Sequence, residues 1–120
     1  MLTMLTAAFI LSGQAASEGR DPAELTRGAS EAMHNFGATV GRCLTHLPPG
    51  AKERLDAGMA RSDARTARER LVVASFNSGY VLGQADPSRP TLSVDQCNAM
   101  MSAAQGRVEA SIAAMVEAGL

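Results

Sequence analysis

The chain has 120 residues and a net charge of -1, with 46% hydrophobic residues but only three Phe, one Tyr and no Trp. That length points to one domain, and the balanced charge excludes a general electrostatic attraction to nucleic acid or to an anionic membrane surface. The two cysteines, Cys43 and Cys97, have no paired ligands nearby, so neither a zinc nor an iron-sulfur site is expected, and no metal or cofactor is assigned.

Met1 to Ser17 holds no charged side chain. Leu2, Leu5, Ala7, Ala8, Phe9, Ile10 and Leu11 form a short apolar core, followed by Ser12-Gly13-Gln14-Ala15-Ala16-Ser17. This has the form of a secretory signal peptide, with cleavage after Ala15 or Ser17, although only the N-terminal amine supplies positive charge. The apolar core is about 10 residues long, too short for a spanning helix of about 20. The alternative is a buried N-terminal helix. The expected organisation is a signal peptide over 1–17 and a single helical domain over 18–120. The mature protein then has no integral membrane segment and is periplasmic or secreted.

Asp21-Pro22-Ala23-Glu24 is a helix start, with Asp as N-cap, Pro in the first turn and Glu in a capping box. Leu25, Ala29, Met33, Phe36, Val40, Cys43, Leu44 and Leu47 then recur at threes and fours, and Pro48-Pro49-Gly50 ends the helix. Gly28, Gly37 and Gly41 lower its intrinsic helicity, so tertiary packing must hold it. A shorter helix follows, with Leu55 and Met59 facing inward and a break and N-cap at Ser62-Asp63.

Arg61, Arg65 and Arg68 line one face, with Arg70 beside them. They read either as an interaction surface for an anion or acidic partner, or as a solvated face with local pairs such as Arg65 with Glu69. Arg68 to Gly83 contains the longest apolar run, Leu71 to Ala74, and shows no period-2 alternation. As a helix it is apolar over about half its circumference, wider than a surface helix needs. Ser75 and Gly79 lie mid-face, four apart, and mark a close approach of another helix flanked by Leu71, Phe76 and Tyr80. This stretch is expected to be the central core helix, with Tyr80 in need of a hydroxyl partner if buried. Asn77 sits at the margin of the face, in the place of a helix-edge hydrogen-bonding residue.

A loop over 84–90 leads to Ser93-Val94-Asp95-Gln96, a second capping box. Val94, Cys97, Met101, Ala104, Val108, Ile112 and Met115 form the last stripe, and Met100 falls off it, where it would be open for contacts. Cys43 near the end of the first helix and Cys97 near the start of the last meet at one end of an up-down-up-down arrangement. The expected fold is therefore all-α, a small up-down bundle of about four helices stapled by a Cys43–Cys97 disulfide. Two buried free thiols are the alternative if the protein stays in a reducing compartment.

His34 and His46 on one helix would stand about 18 Å apart along its axis, so they cannot share a metal or substrate. His46 sits where it would complement the dipole at the end of the first helix. No phosphate-binding glycine loop, nucleophile elbow or metal-ligand cluster is present, and no catalytic residue is assigned.

Cys43, Arg68-Glu69-Arg70-Leu71, Phe76-Asn77-Ser78-Gly79-Tyr80 and Cys97, behind a signal-like segment, resemble a family of small exported alphaproteobacterial proteins of unknown function. The resemblance covers about residues 40 to 105. Where that family has a Trp-Arg pair in the second helix, this chain reads Ala51-Lys52-Glu53-Arg54. The resemblance implies export and a disulfide-linked helical fold, and supplies no activity. The expected function is an interaction or accessory role with a protein partner in the cell envelope. An envelope stress chaperone or inhibitor is the alternative, and an enzyme ranks third.

Overall fold

The structure, a computed structural model, describes residues 21–60, 66–87 and 89–120. The signal-like segment, Ser62-Asp63, Arg61 and Arg65 lie outside the described residues, as does the side chain of Met59. The fold is all-α, and the described residues form four helices in an up-down order: α1 (Pro22–Arg42), α2 (Ala51–Ala60), α3 (Ala67–Gln84) and α4 (Val94–Glu117). Among the described residues there is no strand, and no helix is long and apolar enough to cross a membrane.

Helix α1 starts where its sequence directs. Asp21 is extended, its Oδ1 accepts from the Ala23 N–H at 3.1 Å, and Pro22 occupies the first turn. The helix ends at Arg42, earlier than the apolar stripe suggests. Leu44–His46 forms a separate 3-10 turn, and Gly50 reverses the chain at φ 81, a left-handed conformation that only glycine adopts cheaply. Helix α3 is capped by Thr66, whose Oγ1 accepts from the Glu69 N–H at 3.0 Å, so the cap falls after Ser62-Asp63. Helix α4 opens with the expected capping box. The Gln96 N–H bonds Ser93 Oγ at 3.1 Å and the Ser93 N–H bonds Gln96 Oε1 at 2.8 Å. It closes in a Schellman turn on Gly119, with the Leu120 N–H on the Met115 carbonyl.

The hub is α1, which packs against both α3 and α4. The sequence placed α3 at the centre. Its outer face is nevertheless open, with Leu71, Val81 and Leu82 half or more exposed. Helices α1 and α3 run parallel, as the cross-links Thr26–Arg68 near their starts and Arg42–Asp86 near their ends require. Helix α4 runs back along α1, with Cys97 opposite Cys43 and Ala110 opposite Leu25.

Four glycines make the parallel contact. A Cβ on Gly37 or Gly41 would collide with the backbone carbonyls of Phe76 and Tyr80. One on Gly79 or Gly83 would collide with those of His34 and Ala38. Each helix thus presents a pair of glycines four apart to the backbone of the other, the spacing that lets two helices touch main chain to main chain. Ser75, expected as the second small residue, instead donates its hydroxyl to the Leu71 carbonyl at 2.8 Å. Leu71, expected to flank the contact, is 50% exposed. Gly83 one turn further on completes the pair.

Candidate functional site

The aromatic motif of α3 lies at the end where the disulfide sits. Phe76 and Tyr80 are buried together with Val40 of α1, and Met33, Phe36, Leu44, Leu47, Leu55 and Met101 pack around them. The Phe36 and Phe76 rings are 5.8 Å apart and tilted by 50°, while Phe76 and Tyr80 stack at 6.1 Å. Both cysteines are fully buried, with their Cα atoms 5.7 Å apart, and form the disulfide. Beside it, His46 Nε2 donates to the Leu92 carbonyl at 2.7 Å. His46 therefore ties the turn after α1 to the lead-in of α4, rather than serving the dipole of its own helix.

Tyr80 is 2% exposed, and its hydroxyl has no hydrogen-bond partner among the described residues. Burial pushes that hydroxyl above the ordinary tyrosine range, and the Asp56 carboxylate of α2 pushes the same way. Asp56 is engaged by Lys52 at 2.9 Å, one turn away on α2. That bond raises the exposed Lys52 ammonium above its usual range. The buried Asn77 Oδ1 is likewise unpartnered, so the expected helix-edge hydrogen bond is not made through that atom. Two orphan polar atoms one turn apart on the same helix are unusual for a core.

Two apolar recesses open on the fold, one beside this motif and one away from it. A cleft of about 350 Å³ lies between the helices, lined by Phe36, Val40, Leu47, Leu55, Phe76 and Met101, with Arg54 at its mouth. Arg54 Nη1 reaches the Pro49 carbonyl at 3.5 Å. A larger groove of about 490 Å³ opens at the opposite end of the molecule, where α4 finishes between the starts of α1 and α3. Val72, Val73, Ile112, Met115, Val116 and Leu120 form its walls, with Arg68 and Glu69 at the rim. The folded-back Leu120 contributes to this wall because of the Schellman turn at Gly119, a feature that sequence reading missed although a glycine four residues after the last residue of a helical stripe signals it.

The residues singled out for interaction separate in the structure. Arg68 is exposed, but its Nε donates to Thr26 Oγ1 at 3.1 Å, so it joins α3 to α1 and edges the groove. Met100 is half-buried rather than open. Phe76, Gly79 and Tyr80 are brought together with Cys43 and Cys97 at one end, while Arg68 stands at the other. Among the described residues, no group of three or more His, Cys, Asp or Glu is placed to hold a metal ion. The recesses offer apolar walls with single cations or a mixed pair at the edge. Comparison with family models, with curated proteins and with solved structures gives no match.

Proposed function

We propose that the protein is an exported, disulfide-stapled helical scaffold that works by docking an apolar segment of a cell-envelope protein in the groove between α1, α3 and α4. The single observation that carries this reading is the groove, in which Ile112 and Val116 remain 46% and 67% exposed beside Val72, Val73 and Met115. A contiguous apolar patch of this kind on a monomer marks an interaction site more often than chance exposure does. Export is supported by the uncharged apolar start of the chain and by the buried disulfide, a bond that persists in oxidising compartments.

Two measurements test it. Intact protein from its native host should lack about 15–17 N-terminal residues and gain two hydrogens on reduction. A full-length mass with free thiols overturns export. In a pull-down from envelope extract, one protein should be retained by the wild type and lost with Val116→Asp. An unchanged eluate refutes docking in the groove. A holdase would use the same surface without selectivity, so protection of several unrelated unfolding clients, equally lost in Val116→Asp, would favour the chaperone reading instead.

A further inference from the structure

The cleft beside the aromatic motif is a gap built into the fold. Helix α1 packs closely on α3 and α4, whereas α2 approaches the other helices at few points. The space left beside α2 is walled by Phe36 and Val40 of α1, Phe76 of α3, Met101 of α4, Leu47 after the 3-10 turn and Leu55 of α2. Phe36, Leu47, Leu55 and Met101 are half-buried, and each lines this space. Such walls give an ordered water no polar partners, so the recess suits an apolar chain.

Among the described residues, Arg54 is the one charged side chain of the lining, and it is exposed at the mouth. Its place on α2 gives it no local acid. Gly50, Ala51, Ala57 and Gly58, three and four residues to either side, carry no carboxylate. Glu53, its neighbour in sequence, points about 100° away around the helix. Asp56 is held by Lys52 at 2.9 Å, and the bond from Arg54 to the Pro49 carbonyl is long, at 3.5 Å.

We propose that the cleft binds a medium-chain fatty acid of about eight to twelve carbons, with its carboxylate on the Arg54 guanidinium. At about 30 Å³ per water-sized group, a cleft of about 350 Å³ holds roughly a dozen such groups. The planar guanidinium fork matches a carboxylate through two parallel hydrogen bonds. A peptide segment fits these walls badly, because its backbone N–H and C=O groups would be buried without partners. The site lies at the opposite end from the groove, and each assignment can fail without the other.

The test titrates the disulfide-linked protein with decanoate below its micellar concentration. Heat and tyrosine fluorescence are followed together, since Tyr80 is the single tyrosine of a chain without tryptophan and its ring stacks on Phe76 of the wall. Decanoate should bind saturably at one site in the micromolar range. Affinity should rise about fourfold per methylene from hexanoate to decanoate and level off past about twelve carbons. Arg54→Gln should weaken decanoate about tenfold and leave decanol within about twofold. Ala51→Phe, at the half-buried first position of α2, should fill the cleft and weaken both ligands about tenfold with the helical circular dichroism intact. Val116→Asp, in the groove, should bind decanoate as the wild type does. Absence of saturable binding overturns the proposal. So does a decanoate affinity that Arg54→Gln leaves unchanged, or one that Val116→Asp abolishes and Ala51→Phe spares.

Discussion

The two ends of the molecule are built on opposite terms. At the disulfide end, Cys43–Cys97, the stacked Phe76 and Tyr80, and the glycines at 41 and 83 bring backbone and rings into direct contact. At the other end, α1 and α3 are joined by a hydrogen bond from Arg68 to Thr26, and the large side chains of α4 turn outward. The contrast separates what holds the fold from what is available to a partner. Small residues and a crosslink do the first, and exposed branched side chains are left for the second.

The strongest test of the contrast is the disulfide. The bond closes a loop across a sequence separation of 54, and in the chain-entropy account this stabilises the fold by about 4 kcal/mol. Replacing both cysteines by Ser should lower the unfolding free energy by about 2–4 kcal/mol in a urea titration. An unchanged midpoint would mean that the closed end does not carry the stability.

The glycines give a test by sign. Gly79→Ala and Gly83→Ala gain helix propensity but drive a methyl into backbone that cannot yield, so each should lose about 1–3 kcal/mol. A Cβ on Gly28 or Gly106 meets nothing, so Gly28→Ala and Gly106→Ala should gain about 0.5–1 kcal/mol. Four values of the same sign would dissolve the distinction between seam and flank.

Tyr80 refines the closed end further. Its folded hydroxyl titrates above the unfolded one, so stability is fully present below about pH 10 and falls as pH rises through the folded value. Tyr80→Phe removes an unpartnered buried hydroxyl. It should be neutral or stabilising by up to about 1 kcal/mol at neutral pH and should flatten the alkaline slope. A clear loss of stability at neutral pH would reveal a bond to that hydroxyl. The smallest effect is expected at the open end, where Ile112→Ser and Val116→Ser should change stability by less than about 0.5 kcal/mol.

Much of this was legible in the residues, for identifiable reasons. Ser93 and Gln96 form a local box, so three positions suffice to read it. Cys43 and Cys97 could be paired because they are the two cysteines of the chain and the expected helix order brings their positions to one end. Gly37 and Gly41, by contrast, look only like weak points in α1, because their use depends on a partner helix more than 35 positions away. Leu71 was misplaced for a related reason: periodicity shows that a helix has an apolar arc but not which part of it meets the hub. Ile112 lies on the α4 stripe yet remains open, because α1 extends no further wall to cover it. Which side chains wall the groove depends on how the helices come together, which a linear pattern does not encode.

The parallel run of α1 and α3 has a kinetic consequence. Two consecutive antiparallel helices dock across a short turn, but here the tightest contact joins His34 to Gly79 and Ala38 to Gly83. The intervening segment must turn back and traverse the bundle before that contact exists. Individual helices form in about a microsecond, so their formation is not the slow event. The rate is set by closing a long loop against its entropy, and this protein should refold at the pace of a mixed α/β domain rather than that of a simple helical hairpin.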